Sequence, residues 1–232
     1  MPGRDTAYVW VGRDTGGQPD PAVVLLRRAG ALLLGCAEAE LTLGHDGVGR
    51  PCVRVHERVA ALSVSVSRTA GWVVVAARRT GEVGVDVELV RDLPALALAR
   101  RWFPPAESAW LAERSEADRG VDFLRLWTAK EAVGKALGLG LRGGGLLREM
   151  PPPGMPPRRV PGVERLWVGH PELGAGLVLA VAARAGGPVD VEVAQRPGHD
   201  VTAERSASVE RTSLPVVVRG NRSSRCSTRG RL

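Results

Sequence analysis

The chain has 232 residues, 44% of them hydrophobic, which allows one or two domains with a sizeable core. It has no apolar run long enough to span a membrane and no apolar stretch behind Arg4 and Asp5 to act as a signal peptide. Its three cysteines (Cys36, Cys52, Cys226) form no CxxC pair, so a reduced cytoplasmic protein without a zinc site is expected. The net charge of +7 is uneven: residues 195–232 hold eight arginines against Asp200, Glu204 and Glu210, or +5, leaving +2 for residues 1–194 and arguing against a nucleic-acid-binding body.

Residues 22–34, AVVLLRRAGALLL, read as a core helix in which Arg27 and Arg28 snorkel. In GHDGVGRP, Gly44, Gly47 and Gly49 break any regular element before Pro51. Arg50 lies on that loop, where an arginine is placed to grip a phosphate or is simply solvated. From Leu62 the apolar period becomes two: LSVSVS alternates, and after RTAG the run WVVVAAR follows as a more buried strand. A third run, VGVDVEL at 83–89, suggests an antiparallel meander or a mixed sheet. On it Asp86 and Glu88 are two apart and point to one face. Neighbouring acids repel and lose hydration unless a cation sits between them, and oxygen donors without histidine or thiolate favour Mg²⁺ over zinc. The plainer reading is an edge strand with one wet face.

PALALARRWFPPAESAWLAERS is helical, with Pro104 and Pro105 ending one helix and opening the next. Glu107 falls in that new first turn, where a carboxylate also suits the helix dipole. The next helix, about 122–137, contains LWTAKEAVGKALG, in which Trp127, Glu131 and Lys135 recur at four-residue steps on one face. The chain's two lysines, Lys130 and Lys135, both lie here, while the other thirty basic residues are arginine. A compact ammonium therefore does something here that a guanidinium does not; the plainer reading is an exposed Glu131/Lys135 pair contributing roughly 0.2 to 0.5 kcal/mol. Gly138, Gly140 and Gly143 to Gly145 stop the helix. MPPPGMPPRRVP at 150–161 reads as an irregular surface loop, 163–168 and 177–183 as strands, and VDVEV at 189–193 as a last strand. Asp190 and Glu192 repeat the Asp86/Glu88 spacing, so that string alone is not specific. The Ser-, Arg- and Gly-rich tail, 195–232, lacks Trp, Tyr and Phe and is expected to be disordered.

GRP at 49–51, SRT at 67–69, GVDVE at 84–88 and WTAKEAVGK at 127–135, in this order and at these intervals, resemble the motif set of the 4′-phosphopantetheinyl transferases of the surfactin-activating (Sfp) type. The resemblance covers roughly residues 45–145, and the strands around 163–193 fit the rest of the family domain. It implies an α+β fold of two similar α/β halves, residues 1–82 and 83–194, with coenzyme A in the cleft between them and the basic tail beyond. The implied reaction moves the phosphopantetheine arm of coenzyme A onto a serine of an acyl or peptidyl carrier protein and releases adenosine 3′,5′-bisphosphate. On this resemblance Asp86, Glu88 and Glu131 hold Mg²⁺, Lys135 contacts the phosphate where charge develops, and Glu107 is the general base. Arg50, Ser67, Arg68, Thr69 and Lys130, with Lys135, hold the coenzyme.

Arg68 stands where the family usually has histidine, and the family's basic segment for the 3′-phosphate has no match beyond Arg27 and Arg28. A cleft made within one chain implies a monomer. Two alternatives are a non-catalytic homologue that binds coenzyme A or a carrier protein, and a nucleic-acid binder working through the tail.

Overall fold

The computed structural model describes residues 5–142, 144–195 and 217–218. In chain order the elements are β1 (Thr6–Arg13), α1 (Pro21–Leu34), β2 (Leu41–His45), β3 (Pro51–Val55), β4 (Arg58–Val59), β5 (Ser63–Thr69), β6 (Trp72–Arg78), β7 (Val83–Leu89), α2 (Ala95–Trp102), α3 (Pro105–Ala112), α4 (Glu116–Ala136), β8 (Arg158–Arg159), β9 (Leu166–Gly169), β10 (Leu177–Arg184), β11 (Asp190–Gln195) and β12 (Val217–Val218). They make a five-stranded sheet, β12-β11-β1-β6-β5, a four-stranded sheet, β7-β10-β9-β8, and a three-stranded sheet, β2-β3-β4. The β1–β11 pairing is parallel and the others are antiparallel. No helix among the described residues is long and apolar enough to cross a membrane.

Strand alternation sorts the apolar side chains into layers. Leu25, Leu26, Ala29 and Leu33 of α1 pack on Val73, Val75 and Ala77 of the five-stranded sheet. The opposite face of that sheet, including Ala7, Val9, Val11 and Val74, meets Val83, Val85, Val87, Leu179 and Val181 of the four-stranded sheet. Val178, Ala180 and Ala182, on the far face of that second sheet, lie under Leu126, Ala129, Ala132 and Val133 of α4, beside α2 and α3. The order is therefore helix, sheet, sheet, helices. Gly84 sets how closely α4 crosses β7: a Cβ there would lie 2.0 Å from the Ala132 carbonyl oxygen.

Of the meander or mixed sheet expected from three successive runs, β5 and β6 pair antiparallel within a mixed sheet, but no three-strand meander forms, because β7 leaves that sheet and pairs with β10. Its other edge faces β5, and there the hydroxyls of Ser63, Ser65, Ser67 and Thr69 accept the backbone N–H groups of Val83, Val85, Val87 and Leu89 at 3.0 to 3.3 Å. The serine face of LSVSVS is thus no wet face. It satisfies the edge donors of a neighbouring sheet, each worth about 1 kcal/mol net.

Other sequence expectations shift locally. Gly44 lies inside β2, whose hairpin with β3 turns at 46–50. β1 was not anticipated, and β11 joins it, so a division between 82 and 83 does not separate the sheets. Helix α4 begins at Glu116, before the expected Asp122, because the Ser115 side chain accepts the Asp118 N–H. The proline-rich 150–161 connection is anchored by buried Met150 and Val160. The tail expectation lies outside the described residues, apart from Val217–Val218, which pair with β11.

His170 joins that connection to α4. Its Nδ1 accepts the Gly154 N–H at 3.2 Å, so Nε2 carries the proton and donates to the Arg125 carbonyl at 2.8 Å. Burial, ahead of every other cause, pushes its pKa down to about 4. A base lowered in the folded state costs nothing above its unfolded value near 6.5, and stability is lost as pH falls from there towards 4. Between pH 7 and pH 4.5, urea unfolding is expected to show wild type losing about 2 to 3 kcal/mol more than His170→Gln.

Candidate active site at the sheet junction

Where β5, β7 and α4 meet, three groups converge. Asp86 is 6% exposed, and its Oδ1 accepts from Lys135 Nζ at 2.8 Å and from Ser67 Oγ at 2.7 Å. Lys135, in the last turn of α4, also donates to the carbonyls of Val85 at 3.0 Å and Val66 at 3.4 Å, so one ammonium bridges both sheets. Burial raises the Asp86 pKa, opposed by Lys135 and Ser67. Glu131, one turn earlier on α4, is raised by burial first and then by the charge of Asp86, with Glu88 adding to it. Glu88 accepts from Arg91 Nη1 at 2.7 Å.

Asp86, Glu88 and Glu131 are therefore within electrostatic reach of one another. Among the described residues no group of three histidine, cysteine or acidic side chains is arranged to hold a metal, and the cation on Asp86 is the Lys135 ammonium. As chemistry the donor set fits a hard divalent ion: three carboxylates, no nitrogen or sulfur ligand, and one ammonium to balance them.

Glu107 and Lys130 lie elsewhere. Lys130 follows Trp127 by three residues on α4 and points into the helical core with 0% exposure. Its Nζ is 2.7 Å from Glu107 Oε2, donates to the Arg148 carbonyl and stands 4.8 Å over the Phe103 ring. Glu107 Oε1 accepts the Met150 N–H at 2.8 Å. Burial pushes the carboxyl up and the amine down. The pair ties α3, α4 and the following connection together, and Lys130 presents no surface to a coenzyme. Trp127 packs as expected of an aromatic anchor, 5.7 Å from Trp102 and 6.3 Å from Phe123 between ring centroids.

The SRT motif is split by its own strand. Ser67 and Thr69 face β7, whereas Arg68 points the other way, with Nη1 on Asp14 and Nη2 on both oxygens of Asp20, all at 2.7 Å. This holds the Asp20 pKa below the usual carboxylate range, the Arg68 hydrogen bond being the largest cause. Asp14 and Asp20 were not anticipated as partners. The signal for Asp20 was present in DPAVV, an acidic cap followed by proline at the first helical position, and its side chain does accept the Ala22 N–H. Arg50 bonds Asp46 through Nε at 2.7 Å and reaches the turn that ends α4: a Cβ on Gly138, where φ is +70°, would lie 2.9 Å from Nη1. Arg50 and Lys135 thus flank the same helix end.

The site defines a class: a buried carboxylate held by a lysine and a serine at an inter-sheet junction, with two further acids nearby. Residues 82–153, which hold β7 and α2 to α4, match the family model described as the 4′-phosphopantetheinyl transferase superfamily. A putative 4′-phosphopantetheinyl transferase of Synechocystis sp. is 33% identical over 112 residues, 48% of this chain and 45% of that protein. The 4′-phosphopantetheinyl transferase HetI of Nostoc sp. is 28% identical over 109 residues, 47% and 46%. That of Bacillus subtilis is 26% identical over 118 residues, 51% and 50%. The chain spans about half the length of the curated relatives it matches.

Proposed function

We propose that the chain is a 4′-phosphopantetheinyl transferase of the surfactin-activating type. It transfers the phosphopantetheine arm of coenzyme A to a serine of an acyl or peptidyl carrier protein, acting as a cytoplasmic monomer of two α/β halves. The observation that carries this reading is that the family match, 82–153, encloses the buried Asp86–Lys135 pair together with Glu88 and Glu131, which lie within electrostatic reach of Asp86. In the reaction the serine oxygen forms a bond to the β-phosphorus of coenzyme A. The bridging pyrophosphate bond breaks, and adenosine 3′,5′-bisphosphate leaves with the electron pair.

Such a transfer needs its spreading negative charge neutralised more than it needs covalent help. Asp86, Glu88 and Glu131 would hold Mg²⁺, which supplies Lewis-acid stabilisation of the pyrophosphate oxygens. Lys135 adds a fixed positive charge and Arg50, at the same helix end, a second. Arg68 is held by Asp14 and Asp20, so its contribution to coenzyme binding requires that pairing to loosen. Glu107 is shut behind Lys130. The general-base role that the resemblance implies for Glu107 therefore requires the Glu107–Lys130 pair to open.

The test is mass spectrometry of several apo carrier proteins incubated with this protein, coenzyme A and Mg²⁺. The expected result is a phosphopantetheine mass gain on at least one carrier, absent with Asp86→Ala. Coenzyme A binding without a mass gain on any carrier would leave the non-catalytic homologue as the function.

A further inference from the structure

From the hydrogen bonds at the junction we infer that Ser67 is a positioning residue for the metal-binding carboxylate Asp86, not a ligand of the coenzyme. The inference rests on the metal assignment made under the transferase reading.

The four hydroxyls of β5 do the same first task, each accepting one N–H of β7. Ser67 has a second. Its Oγ accepts the Val87 N–H at 3.3 Å and lies 2.7 Å from Asp86 Oδ1, which as a carboxylate oxygen can only accept. A hydroxyl has one proton to donate, and here that proton points to Asp86. It is not available to a phosphate at the same time. Ser65, two residues back on the same face, accepts the Val85 N–H and supplies an internal comparison for the seam without the carboxylate.

The consequence is geometric. Asp86 Oδ1 is fixed between Ser67 Oγ and Lys135 Nζ, which come from different elements, so the carboxylate plane is set before any ligand arrives. Partners that orient a ligating carboxylate in this way typically change metal affinity 10- to 100-fold when removed. The seam thereby links the packing of the two sheets to the aim of one acid.

The experiment measures two affinities. Mn²⁺ binding is followed by water proton relaxation, and coenzyme A binding by calorimetry in EDTA, for wild type, Ser65→Ala, Ser67→Ala, Ser67→Cys and Ser67→Thr. Ser67→Cys keeps a side chain against Val87 but donates poorly, which guards against a packing defect in the alanine variant.

The expected result is that Ser67→Ala and Ser67→Cys weaken Mn²⁺ at least tenfold. Ser67→Thr and Ser65→Ala should stay near wild type, and coenzyme affinity without metal should be unchanged throughout. Equal Mn²⁺ affinity in Ser65→Ala and Ser67→Ala overturns the inference and leaves the transferase reading standing. Loss of metal-free coenzyme binding in Ser67→Ala also overturns it and returns Ser67 to the coenzyme. Wild type that binds no Mn²⁺ removes the metal assignment and this inference together, while carrier mass spectrometry still tests the transfer.

Discussion

Lys130→Met is expected to lower the stability of the fold by about 3 to 5 kcal/mol in urea unfolding, and adding Glu107→Gln to recover most of that loss. The reason is that Lys130 has no exposed surface and its ammonium is the cation facing Glu107. Removing it leaves a carboxylate in an apolar pocket lined by Phe103, which is costlier than having neither charge. Glutamine keeps an oxygen for the Met150 N–H that Glu107 Oε1 now accepts, so the double variant loses the charges without orphaning that backbone donor.

The same double variant decides between two roles for Glu107. A general base cannot be replaced by an amide, so loss of transfer in a stable double variant would place Glu107 in the chemistry. Retained transfer, the expected outcome, assigns the pair to holding α3 and α4. Single-variant activities alone would not separate these, because Lys130→Met changes fold and site together.

The LWTAKEAVGKALG stretch shows what periodicity delivers and what it withholds. Four-residue spacing correctly groups Trp127, Glu131 and Lys135 along α4, and the rarity of lysine correctly marks both lysines as unlike the thirty arginines. It does not say why. Lys130 sits about 100° around the helix from Glu131, on the face that enters the core. There a compact ammonium fits over Phe103 and against Glu107.

The strands teach a related lesson. Alternation in LSVSVS states which side chains share a face, not what lies against that face. The answer here is another strand's backbone, β7, whose ladder partner β10 comes far later in the chain. Likewise β1 pairs with β11 from the other end of the described body, a contact that no local pattern encodes. Arg68 was legible in principle, because consecutive residues on a strand point apart and so Ser67 and Arg68 could not serve one ligand from one face. Motif reading, which treats SRT as a unit, obscured that.

The largest effect on chemistry is expected at Lys135, where both Lys135→Ala and Lys135→Arg should reduce the carrier-transfer rate roughly 10²- to 10³-fold. Alanine removes the positive charge at the junction. Arginine keeps the charge and so isolates the geometry. The three acceptors, Val66 O, Val85 O and Asp86 Oδ1, surround one Nζ at 2.8 to 3.4 Å, a set that a tetrahedral ammonium can serve with its three protons. A planar guanidinium, longer and with its donors spread over a fork, cannot take that position without displacing Asp86 or parting the β5–β7 seam. The Lys135 side chain is 28% exposed, so the pair it makes with Asp86 is reachable from solvent. Both changes should also lower the urea midpoint, because Lys135→Ala leaves the buried Asp86 carboxylate without its cation and Lys135→Arg strains the β5–β7 seam, so transfer is compared under conditions where each variant is folded. A Lys135→Arg variant that transfers at more than half the wild-type rate would show that charge alone suffices. The presence of lysine at this point of an arginine-rich chain would then lose its chemical explanation.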